Sequence, residues 1–433
     1  MSYYDTSYAH DPRQADRAAA RNVVKVALWL ALAISVVIPH SFQLVSALLI
    51  FGATVLTLPA IERDEWLDRI LLTYFLGVVL TSVFIWIGTT NGAPRNASTQ
   101  TILIYILSPF AWIVLGTGLA QFFGIERLVQ WLIRFTWWAL ISVALFFWAF
   151  LTIGRQAVTF LFADANVNVS NGFAGANILV YGSLIFLAGG AFAQPTLVKS
   201  KWGRLLLPAG LVLCAITSGR SAFALAVPIG FITGLVLRGR VAHQGPTISF
   251  GRAVVVPAVL LTGAALAVTV AIGVLLHTID LTVIFQGYVN KIASGGGEVR
   301  TEQAGALWDG IRETVGLGAG HGVGVSYIRN ADYPWRYENV PLATMYRVGL
   351  LGTLIYCGPF FVYGFAFLGR ASRRALSPED VYMMGGFLSA AVAAWTNPYI
   401  ESFIFQWMFF VPVMSFAVHK VSDKRFATPI AAV

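Results

Sequence analysis

The chain has 433 residues, of which 57% are hydrophobic and only 11% charged. Soluble domains carry about 25% charged residues, so this composition excludes an ordinary soluble protein and predicts a single domain embedded in lipid. The net charge is +9, but the basic residues are scattered between apolar runs, which excludes the basic stripe of a nucleic-acid-binding protein. Cys214 and Cys357 each lie inside an apolar segment, where we interpret them as packing residues rather than disulfide or metal ligands.

Runs of about 20 apolar residues recur along the chain, which is the length that a helix needs to cross a bilayer. We predict an all-α integral membrane protein of about twelve transmembrane helices, with residues 1–433 forming one polytopic domain. The first span follows about 20 polar residues, so we do not expect a cleaved signal peptide. The predicted spans are 22–38, 41–59, 66–88, 101–123, 128–153, 173–193, 203–218, 221–238, 253–276, 342–368, 380–397 and 402–419.

The arrangement of basic residues predicts the orientation of these spans. Most of the 29 lysines and arginines fall on one side when the N-terminus is placed in the cytoplasm. Cytoplasmic loops carry such an excess. We therefore predict that both termini are cytoplasmic, and an error of two spans would leave this conclusion unchanged.

One long outer loop, residues 277–341, separates predicted spans nine and ten and is large enough to carry chemistry outside the lipid. We predict two amphipathic helices in it. The first begins at Asp280 and presents apolar residues as far as Ile292, and the second runs from Ala304 to Val315. A glycine-rich series around His321 follows. An inert plug or lid is the alternative interpretation of this loop.

Several signatures are missing from the sequence. There is no phosphate-binding Walker loop, no metal-binding spacing of histidine, cysteine and carboxylate, and no Gly-x-Ser-x-Gly elbow. We therefore expect neither a cofactor nor a metal. The predicted span interiors also lack the acidic or lysine residues of ion-coupled transporters, which disfavours a transporter. An outward-facing enzyme has no nucleotide supply, so its donor would be a sugar activated on a polyprenyl pyrophosphate.

Arginine suits a pyrophosphate leaving group because its planar guanidinium pairs phosphate oxygens and stays charged. We predict pyrophosphate binding by Arg220, Arg300 and Arg312. Arg220 opens a span, where it could instead be an interfacial anchor. Arg300 opens the second loop helix, where a carboxylate such as Glu298 or Glu302 is the alternative partner. The outward-facing arginines as a group are Arg220, Arg300, Arg312, Arg329, Arg336 and Arg347.

The acceptor hydroxyl of such an enzyme needs a general base. Glu338 is the first candidate, because it lies where the loop re-enters the membrane; a rim carboxylate paired with Arg336 is the alternative. His321 is the second candidate, and otherwise it is a polar residue in a glycine turn. We predict that the cavity rim carries Asn339, Arg347 and Asn397.

Several segments, in this order, resemble motifs of the O-antigen ligase and polysaccharide polymerase superfamily. Together with the span pattern and the long loop they cover roughly residues 170–405. Asn397-Pro398 also occurs in the polymerase branch. The segments are Asn171-Gly172-Phe173-Ala174-Gly175-Ala176-Asn177, Thr217-Ser218-Gly219-Arg220-Ser221-Ala222, Arg300 followed by Gly316-Leu317-Gly318-Ala319-Gly320, and Leu342 through Gly349 and Gly352.

The resemblance implies a membrane glycosyltransferase with a GT-C-like fold in the bacterial inner membrane and a periplasmic active site. It implies metal-independent, inverting transfer from an undecaprenyl-pyrophosphate-linked glycan, with Arg220 and Arg300 at the pyrophosphate. Ligases usually have His-Asn where this chain has Glu338-Asn339. That departure favours a polymerase over a ligase acting on lipid A core. A flippase and a chain-length regulator are the partners that a polymerase would use.

Overall fold

The computed structural model describes residues 12–39, 43–159, 166–170, 173–218, 220–242 and 298–426. The regular secondary structure of the described chain is helical apart from one β-hairpin. Predicted span 253–276 and the first loop helix lie outside the described residues.

The helices and strands follow one another in a simple order. The α-helices are α1 (Pro12–Val37), α2 (Gln43–Thr57), α3 (Glu65–Thr90), α4 (Arg95–Thr101), α5 (Ser108–Thr152), α6 (Gln156–Thr159), α7 (Val180–Ala193), α8 (Lys201–Thr217), α9 (Ser221–Leu237), α10 (Glu298–Glu313), α11 (Val340–Tyr356), α12 (Gly358–Ser372), α13 (Pro378–Ala393) and α14 (Trp407–Phe426). The strands are β1 (Asn166–Ser170) and β2 (Phe173–Asn177). A π-helix, Ile102–Leu107, joins α4 to α5, and 3₁₀ turns occupy Leu58–Ala60, Pro195–Leu197, Arg238–Arg240 and Tyr399–Glu401.

Apolar helices dominate the described chain, which confirms the prediction of an α-helical membrane protein. Five of them are long and apolar enough to cross a bilayer: Ala19–Val37, Glu65–Thr90, Arg95–Phe150, Ala222–Arg240 and Val340–Ser372. Three shorter apolar helices are Leu44–Ala60, Val180–Ala193 and Trp407–Phe416. The count of twelve spans and their orientation stay predictions.

Two of the predicted spans, 101–123 and 128–153, lie in one long helical stretch that is broken once. The break is at Gly124, whose φ of +73° lies outside the helical region. Glycine populates positive φ without the steric penalty that other residues meet. The boundary between these two predicted spans therefore coincides with a real interruption of the helix.

The prediction of a helical span over 173–193 is wrong at its beginning. Residues Phe173–Asn177 form β2, which pairs antiparallel with β1 from Asn166↔Asn177 to Ser170↔Phe173. The helix starts only at Val180. Only Phe173 in this segment favours a strand, since Ala, Gly and Asn are depleted in strands, so β2 depends on its pairing with β1. The Asn171-Gly172 dipeptide between the strands is also a sequence that two-residue hairpins favour.

Helix α7 is the centre of the bundle, and each of its residues is buried. It packs against α9 and α13 through glycines that let the backbones approach closely. A Cβ atom at Gly189 would lie 2.5 Å from the carbonyl oxygen of Gly385, and one at Gly385 would lie 2.7 Å from that of Gly189. Small residues at such contacts are typical of helix packing in membranes.

The second predicted loop helix is present as α10. Its Leu307 is fully buried, in a small cluster with Tyr337 and Tyr346, whereas Trp308 is about half exposed. The helix ends at a Schellman motif, in which the N–H of Gly316 donates to the carbonyl of Ile311 at 2.8 Å. The buried stripe holds α10 against α11.

Candidate functional site

The carboxylate of Glu338 lies between two guanidinium groups. Nε of Arg300 donates to Oε2 at 2.8 Å, and Nη2 of Arg329 donates to Oε1 at 2.7 Å. The Glu338 side chain is 20% exposed, and those of Arg300 and Arg329 are 29% and 39% exposed. The alternative pairing with Arg336 is not observed, since that guanidinium stacks 5.1 Å from the ring of Tyr333. The leading base candidate and one predicted phosphate ligand therefore share one cluster.

Helix α10 is fixed to the segment that carries Glu338. The buried Gln303 accepts hydrogen bonds at Oε1 from the backbone N–H groups of Glu338, at 2.9 Å, and Asn339, at 3.2 Å. Asn339 caps α11, because its Oδ1 accepts from the N–H of Leu342 at 3.3 Å. Asn339 was predicted only to lie at the cavity rim, and the structure shows that it is the N-cap of α11.

Arg220 lies at the N-terminus of α9, as expected, and reaches the last connection of the chain. Its Nη1 donates to the hydroxyl of Tyr399 at 2.7 Å. Tyr399 is buried and opens the 3₁₀ turn Tyr399–Glu401. The guanidinium therefore faces the turn that joins α13 to α14, where Asn397 also lies.

A buried polar network lies beside this turn. Arg347 and Glu401, which are 3% and 5% exposed, form an ion pair through Nη1 and Oε1. The Tyr105 hydroxyl donates to the same carboxylate oxygen and accepts from Arg347 at 2.9 Å. Nη2 of Arg347 donates to the carbonyl of Trp335 at 2.7 Å. The pairing satisfies two charges that would be costly to bury alone.

This network corrects one expectation from the sequence. Arg347 was predicted at the cavity rim, but it is buried because Glu401, Tyr105 and Trp335 take up its donors. The structure buries two acidic residues, and both lie at span ends. Glu401 lies between predicted spans eleven and twelve, and Asp380, which is 1% exposed and 3.5 Å from Arg370, is the first residue of span eleven. Neither lies in a span interior, so the sequence argument against a transporter is unchanged.

A glycine strap, residues 316–322, carries His321 to the network. The strap runs along α11 and α3: the N–H groups of Gly320 and His321 donate to the carbonyls of Arg347 and Phe84, each at 2.9 Å. A Cβ atom at Gly318 would lie 2.6 Å from the backbone nitrogen of Gly349, and one at Gly320 would overlap the backbone of Gly88. The glycines are therefore required because the strap lies directly on the helix backbones.

His321 is 2% exposed, and its Nε2 lies 2.8 Å from the hydroxyl of Tyr356. Burial, with a smaller contribution from the charge of Arg347, lowers the pKa of His321 to about 3. The imidazole is therefore neutral at pH 7, and a group that binds a proton so weakly is a poor general base. Glu338 is also the more accessible of the two candidates, since its side chain is 20% exposed and His321 is 2% exposed.

An apolar cavity of about 240 Å³ lies next to the polar network. The stacked rings of Tyr105 and Tyr356, 5.3 Å apart, both line the cavity. The hydroxyl of Tyr105 enters the network, and that of Tyr356 lies 2.8 Å from Nε2 of His321. Other parts of the wall come from α3, α11, α12, α13 and α14. Lining residues include Tyr74, Gly77, Val340, Pro341, Phe360, Phe387, Ala391, Ala394, Ile400, Phe409 and Phe410.

Two predicted site residues lie apart from these contacts. The guanidinium of Arg312 is 78% exposed and pairs with Asp309 at 3.6 Å on the surface of α10. Asn397 lies in the turn after α13, where its Nδ2 donates to Thr396 at 3.0 Å. In the part of the chain that the structure describes, no group of three histidine, cysteine or acidic side chains could hold a metal ion.

Sequence reasoning did not single out Glu401, Tyr105 or Gln303, and it did not pair Arg329 with Glu338. One signal could have found Glu401. An arginine inside an apolar span needs a buried anionic partner, and Arg347 lies in predicted span 342–368. The roles of Tyr105 and Gln303 depend on long-range packing and leave no local pattern.

Comparisons with protein-family models, curated proteins and solved structures found no match. The resemblance to the ligase and polymerase superfamily therefore rests on the sequence motifs of this chain alone.

Proposed function

We propose that this chain is a polysaccharide polymerase of the bacterial inner membrane, which joins undecaprenyl-pyrophosphate-linked repeat units at the periplasmic face. The observation that carries the proposal is the arginine-bound carboxylate of Glu338 next to an apolar cavity. A lipid pyrophosphate has two parts that match this site: a polyanion, which would bind the arginines, and a long apolar chain, which would enter the cavity.

The polar part of the site offers the chemistry of the leaving group. Arg300 and Arg329 hold Glu338 at 2.8 and 2.7 Å, so they already bind an anion in the resting protein. Arginine forks pair with phosphate as readily as with carboxylate. A pyrophosphate that enters would therefore compete with Glu338 for both guanidinium groups, and Arg220 supplies a further cation at the neighbouring turn.

The apolar part lies directly beside these groups. Val340 and Pro341 line the cavity and follow Glu338 by two and three positions, and Ile400 lines it beside Tyr399, the partner of Arg220. Burial of apolar chain stabilises a complex by about 0.8 kcal/mol per methylene. We assign the chain segment nearest the pyrophosphate to this cavity.

The resting pairing suggests how the base is released. The donor pyrophosphate takes Arg300 and Arg329, and the freed carboxylate of Glu338 accepts the proton of the acceptor hydroxyl. The hydroxyl oxygen attacks the anomeric carbon, the bond from that carbon to the pyrophosphate oxygen breaks, and its electron pair leaves with undecaprenyl pyrophosphate. In-line attack inverts the anomeric centre.

The test is reconstitution of the purified protein with undecaprenyl-pyrophosphate-linked repeat units, in chelator and without nucleotide. A ladder of lengthened glycans that is lost in Arg300→Ala supports the proposal. Arg95→Ala, which removes an exposed arginine at the start of α4, is the matched control and should give the wild-type ladder. Folded wild-type protein that gives no ladder from its own repeat unit would refute polymerase activity.

The same assay separates the alternatives. Transfer that requires added lipid A core identifies a ligase, which has the same chemistry and a different acceptor. Ion-gradient-dependent accumulation of a sugar in vesicles identifies a transporter. The accumulation assay is included because Arg347 and Glu401 are buried charged residues, although their charges neutralise each other in the ion pair.

A further inference from the structure

The candidate site has two halves that come from distant parts of the chain. One half is the segment 335–338, which ends in Glu338 with its two arginines. The other half is the turn Tyr399–Glu401, whose Tyr399 binds Arg220. A donor pyrophosphate that contacts both Arg220 and Arg300 requires a fixed distance between these halves.

Arg347 contacts both halves of the site. It donates to the carbonyl of Trp335 at 2.7 Å, and its guanidinium lies 5.9 Å from the ring centroid of Tyr337, the residue before Glu338. It also forms the ion pair with Glu401, two positions after Tyr399. One side chain therefore spans the interval between the two halves.

The surroundings of this side chain leave it little freedom. Arg347 and Glu401 are 3% and 5% exposed, and Tyr337 is fully buried. Tyr105, on the π-helix Ile102–Leu107, bonds to both members of the ion pair. π-Helical insertions are frequent at functional sites. A buried charge pair with all its partners in place holds one geometry, because each displacement leaves a charge unsatisfied.

We propose that the Arg347–Glu401 pair is a positioning device, which sets the separation between the Glu338 half and the Arg220 half of the site. Neither residue touches the substrate. This inference rests on the proposed function for its catalytic consequence, whereas its geometric consequence is independent of any activity.

The geometric test places spin labels at Ala331 and Trp395, which are exposed and lie one beside each half. The labelled variant lacks the two free cysteines, Cys214 and Cys357. The distance distribution is measured by pulsed electron paramagnetic resonance. We expect a narrow distribution in the parent and a broadened or shifted one when Arg347→Met and Glu401→Leu are combined. An unchanged distribution in that double variant would overturn the proposal.

The double variant also separates positioning from folding. Breaking a buried pair by one substitution leaves an unpaired charge, whereas replacing both members with apolar residues is often neutral for stability. We expect the double variant to keep the wild-type melting temperature and to lose about a hundredfold in kcat/KM for the lipid-linked donor, the effect of a misplacement of about 1 Å. Arg347→Lys, which keeps the charge, should recover part of that loss.

The outcomes are distinct. A double variant with wild-type melting temperature and kcat/KM within about twofold of wild type means that the pair is structural only, and the inference fails. If the wild-type protein transfers no glycan, the proposed function fails instead, and the label distances alone decide whether the pair sets the separation.

Discussion

Glu338→Gln should bind pyrophosphate more tightly than the wild-type protein while losing glycan transfer. In the resting site the carboxylate occupies Arg300 and Arg329 through contacts of 2.8 and 2.7 Å. An incoming pyrophosphate has to displace it. Removing the negative charge frees both guanidinium groups for the ligand and removes the proposed acceptor of the hydroxyl proton.

The magnitude follows from the two ion pairs. All three side chains are partly exposed, between 20% and 39%, so each pair contributes about 1 kcal/mol rather than the larger value of a fully buried pair. Two pairs give about 2 kcal/mol, which corresponds to a roughly thirtyfold lower Kd for pyrophosphate. Simple loss of a binding residue would raise Kd, so the sign of the change is diagnostic.

The assay is displacement of radiolabelled inorganic pyrophosphate from detergent-purified protein, run beside the reconstituted transfer reaction. Glu302→Gln is the matched control, because it removes an exposed carboxylate from α10, the helix of Arg300. We expect no more than a twofold change in that control. Unchanged or weaker pyrophosphate binding in Glu338→Gln would refute the idea that the carboxylate occupies the phosphate site.

Three further variants test the cavity, the strap and the buried histidine. Ala391→Trp should fill the apolar cavity and weaken the binding of a polyprenyl pyrophosphate without changing the Kd of inorganic pyrophosphate; Ala144→Trp, on an exposed face of α5, should change neither. Gly320→Ala should lower the free energy of unfolding by at least about 2 kcal/mol, because φ is +98° and its Cβ would overlap α3. Gly305→Ala, with open space around it inside a helix, should raise that free energy by up to about 1 kcal/mol in the same denaturation assay. Finally, burial lowers the pKa of His321 from 6.5 to about 3. Between these pH values the unfolded chain binds one more proton than the folded chain, so the free energy of unfolding should decrease as the pH is lowered from 6.5 to 3. His321→Gln should therefore reduce the loss of melting temperature between pH 6.5 and pH 4, and an identical decline in the variant would contradict the assignment.

Much of the helical architecture was predictable because it depends on local composition. Lipid requires each backbone polar group to be satisfied within the chain, so a long apolar run is a helix with few exceptions. The boundary near Gly124 was found for this reason, whereas the second loop helix was found from its amphipathic spacing. The error at 173–177 came from joining this segment to the apolar run that follows it, although its pairing with β1 decides its structure.

The site was predictable only where a residue lies at the end of an element. Arg220, Arg300 and Glu338 each lie at or just before the start of a helix. The sequence reveals these helix ends because the apolar or amphipathic pattern begins there. Their partners could not be found in the same way. Arg329 lies in an irregular segment and Tyr399 in a short 3₁₀ turn. Their pairing with Glu338 and Arg220 depends on how these connections cross the helix ends.

Arg347 is the exception, because the sequence contained enough to find its partner. It lies in an apolar span where an unpaired guanidinium is expensive, and the carboxylates near the bundle are few. Asp380 and Glu379 begin α13, whereas Glu401 follows its far end. Predicted span 342–368 starts on the side where α13 ends, so a charge near its beginning meets Glu401 and not Asp380. Applying charge neutrality to each span, together with the up-and-down order of the helices, would have predicted the ion pair that joins the two halves of the site.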